Sequence, residues 1–273
     1  MIDFLAFLFS LSAVKAVWFP AAIAGGLVLF APSSRHAVSS AMAVTAALWI
    51  GLLLSRPMPA FPPIGGIGWM LYASLAGLIL GLLARNPRRR LAANLAFTLG
   101  LPTAVTVLVG QAAYASVLGA PAWAAFGLLS AAGIVLCARL VQRGDSPEMP
   151  KALFVAACGL AALGWLYGTR LSLHAMTLAA ALAGTSLAVR IAGRSISPAL
   201  SYAGGAAYFA LAATMIFWSD SFILPVTATF LVFFAPDIAE SLWPKPSPAR
   251  NRLATLLAVL FAAGAPLAYL YGV

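Results

Sequence analysis

Long apolar runs, broken by short clusters of charge, proline and glycine, follow one another along the whole chain. A helix needs about 20 predominantly apolar residues to cross ~30 Å of hydrocarbon. Ten stretches answer to that length: 4–31, 36–55, 66–84, 91–118, 121–141, 150–168, 171–189, 198–218, 222–243 and 252–272. The pattern predicts an all-α fold, a polytopic transmembrane helical bundle of about ten spans forming a single integral membrane domain over residues 1–273. The first and fourth stretches have length to spare, and a kink is expected at Pro20 and Pro102. Proline donates no backbone hydrogen bond, and its ring crowds the carbonyl four residues earlier. The ninth stretch holds two acids and two prolines and is the least regular.

The polar connections set the orientation, because basic loops stay on the cytoplasmic side. If "RNPRRR", residues 85–90, is cytoplasmic, alternation puts Arg35, Arg139, Arg143, Lys151, Arg190, Arg194, Lys245, Arg250 and Arg252 on the same face. Thirteen of the sixteen basic residues then share one side, and both termini lie outside. Arg56 and Arg170 fall on the outer side, and Lys15 lies within the first span. Five spans per half would make the halves antiparallel, a 5+5 inverted repeat. "LPTAVTVLV" (residues 101–109) echoes "LPVTATFLV" (residues 224–232) in the fourth span of each half. Ten short spans in two halves resembles the layout of drug/metabolite transporters, although that family keeps its N-terminus inside. "ATMIFWSDS" is similar to a Ser-Asp stretch of lysoplasmalogenase-type membrane enzymes, but the acids such a site would draw from earlier helices are missing. The chain is assigned to neither family.

Composition sharpens the solvent assignment. The chain is 63% hydrophobic and 8% charged, with a mean hydropathy of +1.00. A water-exposed domain carries about 25% charged residues, so most of this surface must face lipid. The net charge of +10 does not imply nucleic acid. The cations sit in small groups between apolar runs, not in a stripe interleaved with aromatics, and anionic lipid at the cytoplasmic loops is their expected partner. The N-terminus has Asp3 and no early cation, so it reads as the beginning of the first span and not as a secretory signal. Cys137 and Cys158 lie in separate apolar segments without metal-ligand spacing. No phosphate-binding loop, dinucleotide fingerprint or zinc motif occurs, and neither cofactor nor metal is expected. The alanine-rich character and charge bias point to a bacterial cytoplasmic (inner) membrane.

Chemistry is sparse. Asp237 and Glu240, three residues apart, share one helix face near the cytoplasmic end of the ninth span. A carboxylate at mid-membrane costs about 2.5–3.5 kcal/mol on insertion scales. Such a pair either binds a coupling cation or proton, or it is held by a basic residue such as Arg139 or Arg190 that locks the bundle. Lys15, near Trp18 and Pro20, either snorkels to the outer interface or meets a substrate anion. Thr103, Thr106, Gly110 and Tyr114 follow one face of the fourth span, with Gln111 beside them. Polar groups around a proline-broken helix suit a midplane binding site. At the outer face Arg170, Ser172 and His174 lie in one turn, with Ser219, Asp220 and Ser221 in another; a hydrolytic triad would need them to meet. Small-residue stripes (Ser39, Ala43, Ala47, Gly51; Gly77, Gly81; Gly164, Gly168; Gly264, Ala268, Gly272) suit helix packing. The leading expectation is a permease or carrier for a small or amphipathic solute. A non-catalytic accessory subunit of a larger membrane complex comes next, and a membrane-embedded hydrolase last.

Overall fold

A computed structural model describes residues 10–31, 36–54, 61, 63, 66–113, 120–144, 146, 148–167, 171–193, 197–218, 222–243 and 247–270. Among them every regular element is helical, in ten rods. These are α1 (residues 11–29), α2 (His36–Leu53), α3 (Gly66–Leu83), α4 (87–113), α5 (Ala120–Arg143), α6 (Glu148–Leu166), α7 (Leu171–Ile191), α8 (Pro198–Trp218), α9 (Ile223–Leu242) and α10 (Pro248–Leu270). Six of them, α4 to α9, are long and apolar enough to cross a membrane. The apolar parts of α1, α2 and α3 (Val14–Leu29, Ser39–Leu53, Gly68–Leu83) are shorter. The chain is thus an all-helical bundle of the kind a multi-pass membrane protein requires.

Prolines mark where the rods depart from α geometry. A π-helical turn, Val14–Trp18, precedes Pro20, and another, Ala96–Gly100, precedes Pro102. Pro102 has no N–H for the Thr98 carbonyl and its ring presses on it; a wider turn relieves both problems. The Leu101 N–H accordingly reaches back five residues to the Ala96 carbonyl. In α9 a 3₁₀ turn, Val232–Phe234, precedes Pro236. The two echoing strings occupy different places in their rods: Pro102 is mid-rod in α4, and Pro225 lies in the first turn of α9.

At the centre stands α8, buried along almost its whole length. Its alanines and glycines let neighbours approach closely, which is how helices associate where the hydrophobic effect no longer drives them together. Its broadest partner is α3. There Gly77 sits against the Tyr202 carbonyl, and a Cβ on Gly81 would lie 2.8 Å from the Ala199 Cα. Gly184 of α7 packs in the same way on Ala21 of α1, and Gly164 of α6 on Ser172 of α7. Gly51 sits against Pro20 and Thr177, with Ala43 and Ala47 buried on the same face of α2. Gly264 meets nothing within 4 Å, and Gly168 and Gly272 lie outside the described residues. A buried hydroxyl pair ties α8 to α9: Tyr208 donates to Thr229 Oγ1, which donates to the Val226 carbonyl at 2.7 Å.

One end of the bundle gathers the basic segments. The C-terminal ends of α3 and α5 meet the N-terminal ends of α4 and α8 around a cavity. The end of α9 is ion-paired there to α5 on one side and to the start of α10 on the other.

Candidate functional site

Asp237 and Glu240 belong to the last segment of α9, Ala235–Leu242, which begins after the 3₁₀ turn. Their carboxylates enter a chain of ion pairs spanning three rods. Arg139 of α5 pairs with Asp237 Oδ2. Arg143, one turn further along α5, donates to Asp237 Oδ1 at 3.0 Å and lies 3.7 Å from Glu240 Oε2. Arg250 of α10 is 4.0 Å from Glu240 Oε1.

Arg139 is the deepest member, its side chain 11% exposed against 35% for Asp237 and 53% for Glu240. Its Nε donates to the Phe233 carbonyl at 3.5 Å, and its guanidinium sits 5.9 Å from the centre of the Phe234 ring. Both partners lie in the 3₁₀ turn ahead of Pro236, so one guanidinium meets a carboxylate, a carbonyl of the broken turn and an aromatic face. Two carboxylates face three guanidiniums. A metal cation or proton at Asp237 would have to compete with Arg139 and Arg143 for the same oxygens.

The other polar residues singled out from the sequence are dispersed. Lys15 is half-buried in the π turn of α1. Thr103 is exposed on α4 and donates to the Leu99 carbonyl at 2.8 Å. Thr106 is fully buried and its hydroxyl has no hydrogen-bond partner among the described residues. Gly110 is buried against Phe126 of α5, and Gln111 is exposed. That face of α4 is therefore divided between the bundle interior and its periphery. Tyr114 lies outside the described residues, as do Arg170, Ser219, Asp220 and Ser221. Ser172 and His174 are buried on α7, each with a partner in the bundle.

Two of the cavities among the described residues bear on function, and neither is lined by Asp237, Glu240, Lys15, Thr103, Thr106 or Gln111. The first is a groove of about 600 Å³ between α1, α6 and α7. Its floor is alanine (Ala161 and Ala162 on α6, Ala179, Ala180 and Ala183 on α7), and its walls are Trp18, Phe154, Trp165, Leu166 and Met176. From Phe154 to Leu166 it follows about 18 Å of α6. The second, about 460 Å³, lies at the basic end and is lined by Arg85, Arg90, Asn94 and Tyr202 among others.

Sequence reasoning missed both cavities. The groove's signal, alanines on two helices flanked by aromatics, is also what close helix packing looks like. Asn94, a polar residue inside an apolar stretch, was the available sign of the second. Compared with known proteins, the chain matches no family model, no curated protein and no solved structure.

Proposed function

We propose that this protein is a lipid-handling carrier of the bacterial cytoplasmic membrane, with ten crossings and both termini outside, acting on an amphipathic, phospholipid-like solute. The observation that carries the reading is the groove between α1, α6 and α7. Its lining is almost wholly apolar and includes no charged side chain, so it suits a hydrocarbon chain and offers a polar permease substrate nothing to bind. Trp165 stands at one end of it, where an amphipathic ring favours the membrane interface; its neighbour Gly164 packs on Ser172 in the first turn of α7, whereas Trp18 lies deeper, close to Ala21 and its contact Gly184. Lys15, about one helical turn before Trp18, would extend a cation toward headgroup level by snorkelling on its long stem. In this reading Asp237 and Glu240 hold α5, α9 and α10 together and are not a coupling-ion site.

The test uses protein reconstituted in vesicles of phosphatidylethanolamine and phosphatidylglycerol with a phospholipid carrying a photoreactive acyl chain. Crosslinks are expected within residues 154–166 and 176–183, and fluorescent phospholipid should exchange between leaflets faster than in protein-free vesicles. Ala162→Phe, which fills the groove from an exposed position, should reduce both. Crosslinks scattered evenly over the apolar surface, with exchange no faster than in empty vesicles, would remove the carrier reading. The second reading, an accessory subunit, draws on the tight packing of α8 and the paired Asp237. It predicts that a membrane protein co-purifies with the chain from native membranes.

A further inference from the structure

We infer that the cavity at the basic end of the bundle is a binding site for a phosphate group, borne by an anionic lipid headgroup or by free phosphate. This rests on the chain being embedded in a membrane and is independent of the apolar groove on α1, α6 and α7.

The lining supplies cations and donors and includes no carboxylate. Arg85 follows α3 and Arg90 lies in the first turns of α4, so the two guanidiniums flank the beginning of that rod. Among the described residues neither forms an ion pair, although three arginines at the same end of the molecule have captured both acids of α9. Asn94 completes the set. Tyr202 donates to Asn94 Oδ1 at 2.7 Å, which occupies the amide's acceptor and leaves its N–H groups to donate. Tyr202 is itself held by Phe97, ring centres 4.2 Å apart.

Backbone polarity acts in the same direction. The N-terminal ends of α4 and α8 reach the cavity at Pro87 and Pro198, and neither rod has an acid in its first turn. Asn86 Oδ1 accepts from the Arg88 N–H at 3.0 Å and Ser197 Oγ from the Ala199 N–H at 3.3 Å, so these ends contribute partial positive charge with no acid against it, and the side chains of Arg85, Arg90 and Asn94 supply the donors. A planar guanidinium offers a phosphate two parallel hydrogen bonds, so two arginines and an amide suit a tetrahedral oxyanion better than a carboxylate or a neutral solute. A basic recess between the ends of apolar helices is also where lipid phosphates lie. Its volume of about 460 Å³ is that of a small-molecule site.

The test uses delipidated protein in uncharged detergent, titrated with phosphatidylglycerol, phosphatidylcholine and inorganic phosphate, with bound lipid counted by native mass spectrometry and phosphate followed by calorimetry. Phosphatidylglycerol should bind at least about tenfold tighter than phosphatidylcholine, because both bring a phosphate but the choline cation would be held against Arg85 and Arg90. Arg85→Gln with Arg90→Gln should abolish the preference. Arg88→Gln with Arg89→Gln, the same charge change on the same segment but outside the cavity lining, should leave it intact. Competition by inorganic phosphate identifies free phosphate as a ligand; phosphatidylglycerol binding without competition identifies the bilayer as the source. If phosphatidylglycerol is not preferred and phosphate does not bind, the inference fails. It also fails if Arg88→Gln with Arg89→Gln is as damaging as the cavity pair, since the effect is then general surface charge. Ala162→Phe should leave this binding unchanged, which separates it from the carrier reading.

Discussion

Two groups of arginines occupy the same end of the bundle and meet opposite circumstances. Arg139, Arg143 and Arg250 share the carboxylates of Asp237 and Glu240. Arg85 and Arg90 border an open cavity with no described acid in its lining. The residue type is the same; the supply of carboxylate differs, because the chain has only six acids and two of them sit on one turn of α9. Where acids are present, arginine joins helices. Where they are absent, it remains available to an anion from outside. A guanidinium's role is therefore set by its neighbours, and only the packing of α5 on α9 and of α3 on α8 assigns those neighbours.

The sharpest way to break this contrast is to remove Asp237. Asp237→Leu leaves Arg139, 11% exposed, without its counter-charge, and breaking such a pair costs about 3–5 kcal/mol. The lower end is expected because Asp237 is partly exposed. Thermal unfolding in detergent measures it, and Arg139→Leu combined with Asp237→Leu should recover most of the loss. If the double variant folds but no longer exchanges lipid, Asp237 has a role in transport beyond holding helices.

A second test acts on the contact of α3 with α8, one turn from the cavity. Gly77→Val places side-chain atoms against the Tyr202 carbonyl and Ala206, and overpacking of this kind costs about 1–3 kcal/mol. By pushing α3 from α8 it should weaken phosphatidylglycerol binding while leaving the Arg139–Asp237 pair formed. Tyr202→Phe is milder. It frees the Asn94 acceptor, and the loss of one hydrogen bond should cost about 1 kcal/mol of stability and reduce the lipid preference without abolishing it. The smallest effect belongs to Glu240→Gln. Its contacts of 3.7 and 4.0 Å are half-exposed, and exposed pairs contribute about 0–1 kcal/mol, less at high salt. A loss comparable to that of Asp237→Leu would show that the two acids act as one unit.

Much of the architecture was legible from pattern alone. Apolar length predicted helices where the ten rods lie, and the expected kinks at Pro20 and Pro102 coincide with π turns just ahead of each. The Gly77 and Gly81 stripe lies where α3 meets α8. The candidate site was less legible. Asp237 and Glu240 were visible as a pair, and Arg139 was one of two arginines named as a possible partner, yet 94 residues separate it from the turn it braces. The α4 face of Thr103, Thr106 and Gln111 looked continuous from spacing, but α5 and α8 cover only part of it. Periodicity says which residues share a face and not what that face meets.

The sequence by itself determined the apolar character of the rods, the helical class, the places where the backbone ladder breaks and the scarcity of acids. These follow from local chemistry, since each residue carries its own transfer free energy and its own backbone hydrogen-bonding capacity. Only the tertiary structure decided which arginines are neutralised, which alanines face a groove instead of a neighbour, and which asparagine has its acceptor occupied. Those outcomes depend on contacts between rods far apart in the chain, where a shift of one helix relative to another exchanges one partner for the next.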